Sequence, residues 1–292
     1  MNGEIQNVLA SWTVPLPFTL IIFLTTIFYL RGWRQLRSAS ANVIPVWRTC
    51  SFLLGICFIW LAIGSPLALL DEQLLTAHMM QHLLLMTIAP ALILTGAPMM
   101  PMLHGLPQAF VRFVVGPVFR WPPLQFIGRV LSRPEVCWFA AAAALVGWHV
   151  PAAFQVALQS EGWHIAEHSS FMAAGFLFWW PVIQPWPSVP VWPRWSMLLY
   201  LFSATLPCDI LSAYLTFCER VVYPAYVNAP RLFGLSALED QECAGALMWA
   251  CITIVFLLPA AEITTSLLAP NSRTGKLEEG GWGTPSSRSS RT

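Results

Sequence analysis

The chain has 292 residues, 57% of them hydrophobic and 10% charged, with 18 Phe, 15 Trp and a mean hydropathy of +0.62. A soluble domain carries about 25% charged residues, so this composition excludes a water-soluble globular domain and points to an all-α, polytopic membrane protein with the lipid bilayer as its first partner. A net charge of +1 gives no electrostatic basis for nucleic-acid binding, and the seven cysteines contain no CxxC pair, which argues against a zinc ribbon, a thioredoxin-type motif or a disulfide scaffold.

A helix needs about 20 apolar residues to cross about 30 Å of hydrocarbon. Seven segments qualify: Val14 to Leu30, Thr49 to Leu67, Leu74 to Leu94, Glu135 to Ala152, His164 to Ile183, Trp195 to Phe217 and Gln241 to Ile263. The expectation is a seven-transmembrane helix bundle over residues 1–269, followed by a Gly-, Ser- and charge-rich tail, 270–292, expected to be disordered. The N-terminus has neither a basic n-region nor a small-residue cleavage site, so the first apolar run reads as a retained span. Of the 15 basic residues, 13 fall on one side of such a bundle, in the loops holding Arg31 to Arg48 and Arg112 to Arg133, at Arg194 and in the tail; only Arg220 and Arg231 lie opposite. That asymmetry places the N-terminus outside and the C-terminus in the cytoplasm. Trp12, Trp47, Trp179, Trp180, Trp186, Trp192 and Trp195 fit an interfacial aromatic belt.

With this topology five of the six histidines share the outer leaflet, His104 being the exception. His78 and His82 lie in the outer third of the third span, His164 and His168 open the fifth, and His149 sits near the outer end of the fourth. Both pairs are spaced i, i+4, which turns the two imidazoles of each pair the same way. A lone histidine in a membrane helix usually packs through hydrogen bonds, but two pairs at one depth can supply several nitrogen ligands to one metal, and imidazole suits copper or zinc. Met86 continues the His82 face and would favour Cu(I); Met79, next to His78, points about 100° away and is the weaker soft ligand.

Asp71, Glu72, Glu161 and Glu239 read as loop carboxylates facing water, whereas Glu167, one turn from His164 and adjacent to His168, is the best partner for ligand imidazoles. Asp209 lies within the sixth span, where an ionisable group is functional by default. Its neighbour Cys208 is a soft ligand on one reading and inert packing on the commoner one. Cys218 and Cys243 both lie near the outer face, and spacing alone does not decide whether they form a disulfide. There is no GxSxG, HExxH, Walker A or GxGxxG, so hydrolase and nucleotide chemistry have no support and no enzyme activity is expected.

The blocks AHMMQHLLLMTIAPALILTGAP, GWHVPAAFQVAL, HIAEHSSFMAAGFLFWWP and YPAYVNAPRLFGLSALEDQECAGALMW resemble, in order and spacing, those of the bacterial multi-span CtaG-type cytochrome c oxidase assembly factors. The likeness covers spans three to seven; the first two match only in hydrophobic character. It implies an inner-membrane protein that matures a haem–copper oxidase, working with an oxidase subunit or other assembly factors, with copper as the handled metal. Residue by residue it carries over to His78, His82, His149, His164 and His168, with Asp240 and Gln241 opening span seven. Cys243, inside the DQECAG block, departs from the pattern.

The resulting expectation is a shallow, outward-opening copper site with His78, His82, His164 and His168 as ligands and His149 as a fifth or alternate. Glu167, Asp209, Asp240 and Gln241 would orient ligands or relay protons. Three alternatives stand beside it: a membrane haem protein with one histidine of each pair as axial ligands, a metal-free scaffold for oxidase subunits, and a copper importer, which would need polar residues continuing to the cytoplasmic side.

Overall fold

The structure, a computed structural model, describes residues 10–39, 44–185 and 192–269. Trp186 and the 270–292 tail lie outside the described residues, so the readings placed on them do not enter the fold.

Among the described residues all regular structure is helical. The long elements are α1 (Leu16–Ala39), α2 (Val46–Gly64), α3 (Leu75–Thr95), α4 (Met99–Gly105), α5 (Pro122–Leu131), α6 (Pro134–Trp148), α7 (Pro151–Gln159), α8 (Glu161–Ile183), α9 (Ser196–Phe217) and α10 (Ala237–Leu268). Each of the seven expected spans coincides with one long helix, offset by several residues at some ends. Five of these helices are long and apolar enough to cross a membrane, and six if α5 and α6, bent by 74° at Ser132–Arg133, count as one broken span. The 23-residue α8 is long enough, but Glu161, His164, Glu167 and His168 in its first two turns lower its hydropathy. The chain is a multi-pass membrane protein whose outer helix faces expose apolar side chains such as Leu20, Phe23, Phe202, Ile210 and Leu257, as lipid contact requires.

Helix α3 is the hub. Within its span 72% of residues are buried, against 11% to 33% in the other four apolar spans. It packs on α2, α8 and α10, while α6 packs on α8 and α9, and α9 on α10. Between Leu83 and Ile88 α3 widens into a π-turn just before Pro90, whose missing N–H and ring disturb the regular ladder. There Gly175 of α8 meets the backbone of Met86 so closely that an added Cβ would overlap its carbonyl. This contact lets α8 lie against α3 and brings their histidines together.

Two apolar clusters flank the hub. One gathers Phe178, Trp179, Tyr200, Phe256, Met248 and Ile252, with the rings of Phe178 and Phe256 stacked at 5.2 Å. The other joins Tyr29, Phe52, Ile56 and Ile93, where Tyr29 stacks on Phe52 at 3.7 Å and donates to the Gly96 carbonyl. Trp179 is therefore core and not belt: it is 2% exposed and packed edge-on against Phe178 and Phe256.

Candidate metal centre

At one end of the bundle the N-terminal turns of α3, α8 and α10 and the C-terminal end of α6 converge. The start of α3 is set from another helix. The Asp240 carboxylate accepts the backbone N–H groups of Leu75 (2.6 Å) and Thr76 (3.1 Å), and Thr76 Oγ1 returns a bond to the Asp240 carbonyl. The first N–H groups of a helix have no partner inside it, so a carboxylate from α10 fills the role of an N-cap. Asp240 itself sits in the first turn of α10, which Ser236 and Glu239 close with a reciprocal capping box. Next to it, Gln241 accepts from Val222 N–H (2.7 Å) and donates to the carbonyls of Leu215 and Arg220, tying the 218–236 loop over the bundle end. The hydrogen bonds of the Asp240 and Gln241 side chains thus go to backbone groups and not to the imidazoles.

One turn below the Asp240 anchor the imidazoles gather. The ring of His78 lies 4.2 Å from that of His82, 5.8 Å from His164 and 6.2 Å from His168, centre to centre; His164 and His168 are 4.3 Å apart and His82 and His168 5.6 Å. Glu167, fully buried, sets one oxygen 3.6 Å from His78 Nε2 and 3.5 Å from His82 Nε2. Asp71, also fully buried, sets Oδ2 3.3 Å from His164 Nε2. Two sets of three ligand atoms lie within 4.8 Å of one another: Asp71, His78 and His164, and His78, His82 and Glu167. His78 belongs to both. Burial increases along the series, since the His164 side chain is 22% exposed and that of His78 is not exposed at all.

These groups fit a cation better than they fit one another. Both ring nitrogens of His78 and of His82, Nε2 of His164 and of His168, and both carboxylate oxygens of Asp71 and of Glu167 are buried without a hydrogen-bond partner. The distances of 3.3 to 3.6 Å are contacts without hydrogen-bond geometry. Among the described residues the one Lys or Arg ion pair is Arg194 with Glu262, so neither buried carboxylate has a Lys or Arg partner and only imidazoles stand beside them.

The remaining candidates sort by place. His149, capping the C-terminus of α6, is 6.1 Å from the His82 ring, and its Nε2 lies 3.3 Å from the Met79 sulfur. The expected order of the methionines is thereby changed: Met79, fully buried, faces a histidine, because His149 reaches α3 on the side that the His78–His82 face leaves free. Met86 and Cys208 line the cavity beneath, with His82, His149 and Met248. Asp209 is half-buried and lies off that cavity, with no hydrogen bond or ion pair. All seven cysteines, Cys218 and Cys243 included, are free thiols.

Three participants were not expected. Asp71 was read as a water-facing loop residue, yet it is sealed in by Tyr226, whose hydroxyl donates to the Asp71 carbonyl (2.8 Å). The signal was its position seven residues ahead of His78, one helical face, masked because Leu74 breaks the helix between them. Tyr223 donates to the His149 carbonyl (3.2 Å) and packs its ring on Phe154, which in turn covers His78. Burial pushes the phenols of Tyr223 and Tyr226 up from their ordinary value, so both stay neutral donors.

A family model described as the cytochrome c oxidase caa3 assembly factor (Caa3_CtaG) matches residues 27–269. Uncharacterized proteins of Mycobacterium leprae (24% identical over 84% of this chain and 37% of theirs) and of Mycobacterium bovis and Mycobacterium tuberculosis (each 24% over 94% and 42%) are similar to it. The chain spans about two fifths of the length of these curated relatives. No solved structure matches it.

Proposed function

The chain belongs to the cytochrome c oxidase caa3 assembly factor family, and from that premise we propose that it is a seven-span protein of a bacterial inner membrane that holds copper in the histidine–carboxylate cluster and hands it to an oxidase subunit. Its N-terminus is outside and its C-terminus cytoplasmic, as the distribution of basic residues supports. The cluster then opens outward, toward the side where an exported copper centre is completed.

The observation that carries this reading is the set of buried, unpartnered polar atoms on Asp71, His78, His82 and Glu167. Leaving one such group unsatisfied costs about 1–3 kcal/mol, and more when it is charged. Two buried carboxylates without a Lys or Arg partner make the metal-free cluster costly, and a bound cation offsets that cost directly. Imidazole and carboxylate together suit a divalent first-row metal, copper among them. Copper is cargo here, held and released unchanged, so no substrate is turned over. His78 supports release, since a ligand common to two overlapping triads allows one set of bonds to form as another breaks.

The haem alternative separates from the copper reading by a visible spectrum: an intense Soret band in the purified protein would favour haem, and a colourless preparation would exclude it. The metal-free scaffold separates from the copper reading by experiment. Protein purified in detergent and exposed to copper is expected to retain it through dialysis, and the His78→Ala/His164→Ala double variant to lose it. No copper above background in the wild type, or equal copper in the variant, would overturn the proposal.

A further inference from the structure

Below the carboxylate-bearing cluster the donor chemistry changes. The cavity that begins at His82 is lined by His149, Met79, Met86, Met248 and Cys208 among aromatic and aliphatic side chains, and among the described residues no Asp, Glu, Lys or Arg reaches it. Hard oxygen ligands end with Glu167, and soft sulfur begins.

The contact between His149 and Met79 is the informative one. His149 Nδ1 lies 2.7 Å from the Leu145 carbonyl oxygen. A carbonyl only accepts, so Nδ1 carries the proton and the neutral ring presents a bare lone pair at Nε2. That lone pair is 3.3 Å from the Met79 thioether, another acceptor without a hydrogen. Two lone pairs aimed at each other in a largely apolar cavity repel, and both are satisfied when a soft cation takes them as ligands. Bonds of about 2.0 Å to nitrogen and about 2.3 Å to sulfur would subtend about 100° at that cation, near the tetrahedral angle.

We propose that His149 and Met79, with His82 above and Met86, Met248 and Cys208 on the cavity wall, form a second station for a soft monovalent cation, Cu(I), distinct from the outer carboxylate cluster. This rests on the copper reading above and extends it. His82 links the stations, because it belongs to the triad with His78 and Glu167 and also lines the cavity. The neutral nitrogen–sulfur set suits a single positive charge, whereas two carboxylates suit two. The outer cluster can therefore accept either valence, and the inner station keeps only the reduced ion.

The full-length protein, loaded anaerobically with Cu(I) in detergent, tests this by copper X-ray absorption. A sulfur shell at about 2.3 Å is expected, lost together with one copper equivalent in Met79→Leu and in His149→Ala, and retained in Asp71→Asn. Selenomethionine-labelled protein should show selenium next to copper, a readout that needs no substitution and survives if a variant misfolds. Copper bound with nitrogen and oxygen neighbours alone, or a sulfur shell unchanged by Met79→Leu, overturns the second station and leaves the outer site standing. Absence of any bound copper overturns both.

Discussion

Oδ2 of Asp71 lies 3.3 Å from Nε2 of His164, with the carboxylate fully buried and the imidazole open to the exterior on one side. The pair is the most exposed edge of the cluster, and it joins a turn ahead of α3 to the first turn of α8.

Asp71→Asn keeps the shape of the side chain and removes its charge. In metal-free protein the variant is expected to melt at the same temperature as the wild type or a few degrees higher, because a buried charge without a Lys or Arg partner is gone. The gain in melting temperature on adding copper should shrink, reflecting an affinity loss of about 10- to 100-fold. A variant that is destabilised without metal and binds copper normally would contradict this role.

Asp240→Ala removes the acceptor of two backbone N–H groups at the start of α3. Hydrogen bonds to a charged group contribute about 1.5–3 kcal/mol each, so loss of the two is expected to destabilise by about 3–6 kcal/mol, and Asp240→Asn by less. Hydrogen exchange should rise first at residues 75–78. Copper retention should fall with it, since His78 lies in that turn.

Gly175→Ala puts a methyl group into the Met86 backbone. Neither partner is a flexible side-chain end, so α8 must move away from α3. A loss of about 1–3 kcal/mol is expected in thermal unfolding, and copper stoichiometry should drop because the two histidine pairs separate. The same change at Gly147, where an added Cβ meets nothing within 4 Å, is the control, and it should leave copper binding intact.

The proposed orientation is read by labelling. In a background without native cysteines, Glu161→Cys should react with a membrane-impermeant maleimide added to intact cells, and Ser132→Cys only after lysis. Glu161 is exposed and Ser132 is partly exposed, so a cysteine at either position can be reached by the reagent. The reverse pattern would invert the topology.

Much of the architecture is legible before folding. Apolar runs of about 20 residues mark the spans because backbone polar groups must be satisfied internally in lipid, and i, i+4 spacing places His78 with His82 and His164 with His168 because a helix has 3.6 residues per turn. Helix membership is a local property, and so is the i, i+3 spacing that sets Glu167 beside His164; its complete burial against His78 and His82 is tertiary. Asp71 escaped because its fate depends on Tyr226, far along the chain, folding over it. Asp240 was recognised as important but not for its task, since no spacing within α10 reveals that its partner is the first turn of α3.

What the sequence by itself determined is the set of donors and their grouping: imidazoles toward one end of three apolar helices, most basic residues toward the opposite ends. Only the tertiary structure decided which donors meet. The Gly175–Met86 contact sets the distance between α3 and α8, and the reach of His149 to Met79 places a nitrogen from another helix beside the sulfur that helical periodicity turns away from His78. The reason is physical: periodicity governs direction about one helix axis, whereas ligand distances depend on how closely two axes approach.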